Sequence, residues 1–79
     1  MFGPVQVRAA RAILGWSIKE LAREAELHPN TVGRVERGEE TTKGTLALLR
    51  AKFEKAGLSF GEDGSVRPPE PDDLKESAP

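Results

Sequence analysis

Pro29, Asn30, Gly33 and Arg34 fall within six consecutive residues, PNTVGR. On a helix, an arginine there presents a planar fork of donors that pairs two-pronged with guanine, and an asparagine presents the donor and acceptor that match adenine. Pro29 adds an exposed neighbour, and Gly33 permits close approach. Nothing comparable serves catalysis. His28 is the one histidine, has no neighbouring Cys or Ser, and reads as a cap or surface residue. The pairs Glu39-Glu40 and Asp72-Asp73 lack metal-ligand spacing and read as solvated charge. The glycines form no phosphate loop. The residue types point away from an enzyme, and no metal or small-molecule cofactor is expected.

For a chain of 79 residues, one domain is the expectation. With 37% hydrophobic and 32% charged residues it suits a small helical unit with a limited core. There is no cysteine, so disulfides do not support it, and capping, packing and a partner subunit are what remain. No apolar run reaches the length of a membrane span and no signal-peptide pattern opens the chain, so no membrane partner and a cytoplasmic location are expected. The formal net charge of −1 hides an asymmetry. Residues 1–58 carry ten basic and seven acidic side chains, whereas residues 59–79 carry two and six. A basic head with an acidic tail is the result.

The elements that must position the candidate residues can be read from caps and periodicity. A first helix starts at Gly3-Pro4, with Phe2 and Val7 placed as a hydrophobic staple, runs through Val7, Ala10 and Leu14, and stops at Gly15. A second starts at Ser17, where S-x-x-E is a capping box and Trp16 and Leu21 are a staple; Ile18, Leu21, Ala22 and Ala25 are its apolar side. A third starts at His28-Pro29, turns Val32, Val35 and in part Thr31 inward, and ends at Gly38. Gly33 in its middle costs about 1 kcal/mol relative to Ala, so either something approaches closely there or the position has drifted. A fourth is capped by Thr42, carries Leu46, Leu49, Phe53 and Ala56, and closes at Gly57. Leu58 to Phe60 and Ser65 to Arg67 flank the turn pair Asp63-Gly64 and read as a small hairpin. Such a hairpin needs packing on the helices or pairing across a dimer to persist.

The unit from Ser17 to Gly38 is then two short helices joined by a turn, with the second, residues 28–37, projecting toward a major groove. Pro29, Asn30, Gly33 and Arg34 take base edges. Phosphate contacts fall to Ser17, Lys19, Thr31 and Lys43, helped at the start of the second helix by its free N–H groups and dipole.

The segments QVRAARAILGWS, SIKELAREAELHPNTVGRVERG and TLALLRAKFEKAGLSF resemble the Cro/phage-repressor (XRE) family of helix-turn-helix DNA-binding domains. The match rests on Leu21-Ala22, Leu27, Val32 and Val35-Glu36-Arg37-Gly38. It implies an all-α, lambda-repressor-like domain of four to five short helices, with the third as recognition helix, binding double-stranded DNA as a homodimer. It also implies an ion pair between Arg11 and Glu36 that orients the recognition helix without touching bases. LSF and the following G-x-x-G-x-V-R resemble the C-terminal strand extension of short members. Residues 1–60 would form the binding domain, 61–67 the hairpin extension and 68–79 a disordered acidic, Pro-rich tail. Three departures stand out. Glu26 replaces the usual turn Gly, Ile18 replaces a common Gln, and Glu39-Glu40 follow Gly38, where phosphate would repel them.

The expected function is a sequence-specific transcriptional regulator. The alternative is an antitoxin-like or anti-repressor-like module that keeps the fold and binds another protein.

Overall fold

Four helices follow one another through short turns in the computed structural model, which describes residues 2–39 and 41–69. They are α1 (Pro4–Leu14), α2 (Ile18–Ala25), α3 (Pro29–Glu36) and α4 (Lys43–Lys55), followed by β1 (Ser59–Phe60) and β2 (Val66–Arg67). The helix count is four among the described residues, the lower of the two expected. Where a fifth would lie, the chain turns into the hairpin. Glu40 and residues 70–79, which include most of the expected acidic tail, lie outside the described residues.

Each helix begins where the local chemistry supplies a cap. Gln6 Oε1 accepts from the Gly3 N–H at 3.0 Å, and glycine, with no side chain, leaves the reciprocal bond unmade. Ser17 Oγ accepts from the Glu20 N–H at 3.1 Å, and the Glu20 carboxylate accepts from the Ser17 N–H at 3.3 Å. Thr42 Oγ1 accepts from the Thr45 N–H at 3.1 Å.

The helix ends share one device. After each helix a residue with left-handed backbone returns two N–H groups to the last carbonyls: Gly15 (φ 70°), Glu26 (φ 56°), Gly38 (φ 75°) and Gly57 (φ 103°). The longer return bonds are Trp16 to Arg11, Leu27 to Ala22, Glu39 to Arg34 and Leu58 to Phe53, all at 2.8 to 3.1 Å. These bonds satisfy carbonyls that a helix end leaves orphaned. Three of the four positions are glycine, for which left-handed backbone is free of strain. Glu26 adopts it with a Cβ.

Val7, Ala10, Leu21, Ala22, Ala25, Val32, Val35, Leu49, Phe53 and Leu58 form one buried cluster. Phe53 is its hub. Trp16 stacks on it at 6.2 Å and 28°, and the Phe2 and Phe60 rings lie 6.4 and 6.1 Å away. Trp16 is therefore a core residue, partly buried, as its staple position suggests.

The hairpin pairs Ser59 with Arg67 and Phe60 with Val66. It persists because it packs on the helices. Phe60 meets Phe2 edge-on at 4.9 Å, Gln6 Nε2 donates to the Gly64 carbonyl at 2.9 Å, and Val66 joins the core. Beyond β2, Pro69 rests over Gly57.

Candidate nucleic-acid interface

α3 has two faces with opposite chemistry. Val32, Val35 and Glu36 are buried against the other helices. Asn30, Arg34 and Arg37 are exposed, and steps of four and three residues line them along one helix face. Pro29 is half-buried in the first turn. His28 Nδ1 accepts from the Asn30 N–H at 3.0 Å, so this histidine serves as the N-cap that its position predicted.

An ion pair fixes the far end of α3. Arg11 Nε donates to Glu36 Oε2 at 2.7 Å and Arg11 Nη2 to Oε1 at 3.0 Å. Arg11 Nη1 donates to the Trp16 carbonyl at 3.0 Å, so one guanidinium joins α1, the following turn and α3. The hydrogen bond to Glu36 raises the pKa of Arg11. Arg8 donates to the Glu36 backbone carbonyl and adds a second clamp. The face that α3 turns outward carries Asn30 and Arg34 and continues into Arg37 at its C-cap.

The candidate phosphate contacts occupy two places. Ser17 and Lys19 are exposed in the first turn of α2. Thr31 and Arg34 line a hollow of about 210 Å³ together with Thr41, Thr42 and Thr45. Lys43 is exposed in the first turn of α4, directly after the Thr42 cap. Thr31 and the start of α4 are thus brought together, while Ser17 and Lys19 belong to a separate helix start. Ile18, in the position of the missing Gln, is half-buried and packs on the core.

Gly33 differs from expectation. It is buried, and the group that approaches it belongs to the chain itself: a Cβ there would lie 3.1 Å from Arg37 Nη1. The glycine makes room for an arginine laid across α3. It offers no open surface for a base.

Two further residues of this face, Arg37 and Glu39, were not among the expected contacts, although Glu39 stood out in the sequence as an acid beside Gly38. Arg37 Nε contacts Glu39 Oε2 at 2.6 Å, and Arg34 Nε lies 3.5 Å from Glu39 Oε1. One carboxylate bridges two arginines. The hydrogen bond from Arg37 holds the Glu39 carboxyl below its ordinary pKa, and the nearby charges of Arg37 and Arg34 add to this. The spacing of Arg34 and Arg37 carried a signal for the first residue, since they share a helix face. The expected repulsion of Glu39 from phosphate is met by two intramolecular cations.

Among the described residues, no helix is long and apolar enough to cross a membrane. A family model described as Helix-turn-helix matches residues 7–56, from the first buried residue of α1 to the C-cap of α4. Neither the comparison with curated proteins nor that with solved structures returned a match.

Proposed function

The chain belongs to the helix-turn-helix family of the Cro/repressor type, and from that premise we propose that it is a sequence-specific transcriptional regulator that binds double-stranded DNA as a homodimer on a two-fold symmetric site. The observation that carries this reading is the division of α3. Its buried face is clamped by Arg11 and Arg8, and its exposed face offers Asn30, Arg34 and Arg37 in line. Pro29, Asn30 and Arg34 take base edges, with Gly33 behind them as the seat of Arg37. Ser17, Lys19, Thr31 and Lys43 take phosphates. Phosphate contacts supply affinity and register, and base contacts supply selectivity. The residues 1–60 and the hairpin act as one binding unit, because Phe60 and Val66 complete the core.

Selection of bound duplexes from a random pool tests this. The expected result is a consensus of two inverted half-sites about one helical turn apart. A pool that emerges without any consensus would remove the reading.

One observation favours the second reading, a protein-binding module of antitoxin or anti-repressor type. Glu39 pairs with both arginines of the exposed face and offsets part of their charge. Full-length protein that passes through heparin and nonspecific duplex columns at low salt would favour that module.

A further inference from the structure

We propose that Glu39 is a positioning residue that holds Arg34 and Arg37 as one unit at the end of the recognition helix, lowering indiscriminate attraction to phosphate and sharpening base selectivity. This rests on the DNA-binding reading.

The placement of Glu39 is set by the backbone. Gly38, at φ 75°, turns the chain back so that the Glu39 N–H donates to the Arg34 carbonyl at 3.0 Å and the Gly38 N–H donates to Val35 at 3.0 Å. Glu39 is thus bonded through its main chain to the residue whose side chain it faces. Its two oxygens divide between Arg37 Nε at 2.6 Å and Arg34 Nε at 3.5 Å. Gly33 supplies the space in which Arg37 lies. Four residues of one short segment, Gly33, Arg34, Arg37 and Glu39, therefore form a single arrangement.

The geometry also says what the arrangement does. Glu39 approaches each guanidinium at Nε, its inner edge. The outer nitrogens of an arginine are the fork that pairs with guanine. A carboxylate at Nε orients Arg34 and leaves the outer fork for a base. Arginine otherwise has large rotamer freedom, and an untethered one reaches phosphates at many angles. Near DNA the carboxylate subtracts one charge from the pair, which weakens binding to every sequence alike. The orienting effect acts only where a base matches the fork.

The test uses the full chain and its E39Q variant, an exposed position where circular dichroism should be unchanged. Two probes are compared, a random-sequence duplex and the best duplex from the wild-type selection. E39Q should bind the random duplex more tightly by roughly three- to tenfold, with the salt slope steeper by about one. The ratio of selected to random affinity should fall by at least about threefold, and this loss should survive at 0.3 M salt (about a 6 Å screening length), where exposed charge effects fade. An unchanged ratio would overturn the positioning role and leave Glu39 as mere charge. A wild-type chain that binds neither duplex fails the DNA-binding reading at the control, and the inference falls with it. A readout free of DNA separates the two. The Arg34 Nε–H resonance should shift in E39Q and stay in place in E54Q, which removes only the partner of Arg50. An Arg34 resonance indifferent to E39Q overturns the proposal even where DNA binding is intact.

Discussion

Arg11 and Glu36 lie 25 residues apart in sequence and meet through two parallel hydrogen bonds of 2.7 and 3.0 Å. The Glu36 side chain is 7% exposed and that of Arg11 25%. The pair ties the first helix to the last turn of the recognition helix, so its loss should act on both stability and the aim of α3. Removing one partner of a fully buried pair costs about 3–5 kcal/mol. Arg11 keeps some water and its bond to Trp16, so Glu36→Ala should cost about 2 kcal/mol, less than that range. The melting temperature should fall by roughly 10 °C for a domain of this size. A melt within 2 °C (roughly 0.3–0.5 kcal/mol by the same scaling) of wild type would show the pair to be idle.

Glu26 should be the easiest position at which to stabilise the chain. A residue with a Cβ in left-handed backbone carries about 1–2 kcal/mol of strain. Glycine removes it and costs about 0.5–1 kcal/mol in unfolded-state entropy. The strain wins, and Glu26→Gly should stabilise by about 0.5–1 kcal/mol in a urea titration. Unchanged or lower stability would mean that the return bond from Leu27 to Ala22 already holds the turn without strain.

Gly33→Ala sets two effects against each other. Helix propensity favours alanine by about 1 kcal/mol. The new Cβ would stand 3.1 Å from Arg37 Nη1, so the guanidinium must yield. That atom is the far end of a flexible side chain, 61% exposed, and it can move cheaply. Stability should therefore rise by about 0.5–1 kcal/mol, while Arg37 leaves its seat and base selectivity drops. A destabilised variant would show that Arg37 is held more firmly than its exposure suggests.

Arg34→Ala and Lys43→Ala should separate the two kinds of contact. The first should relax preference at one position of the site, at a cost of about 1–3 kcal/mol against the preferred base. The second should weaken all duplexes alike and lower the salt slope by about one. Titrations on selected and random duplexes at several salt concentrations check both. Identical behaviour of the two variants would place the interface elsewhere.

The helices were legible because their signals are local. Ser17 and Glu20 cap one end of α2 three residues apart, and Gly15, Gly38 and Gly57 mark stops one or two residues past the helix that each one closes. The strained turn at Glu26 was legible too, as a departure from the glycine of the family pattern. The seat of Arg37 on Gly33 was half legible: a costly glycine announced a close approach, and which group approached depended on rotamers that no spacing encodes. The bridge at Glu39 was hidden because it requires the left-handed turn at Gly38 to bring the chain back over Arg34. The docking of the hairpin was hidden for a different reason, since Gln6 and Gly64 are 58 residues apart.

The aromatic cluster closes the described chain on itself. Phe2 packs edge-on against Phe60, and Gln6 reaches the tip of the hairpin. A nascent chain can form α1 to α4 turn by turn and bring Phe2 near Phe53, but the edge-on contact of Phe2 waits for Phe60. The four helices alone therefore leave the core unfinished, and a chain cut before Phe60 lacks the residues that complete it.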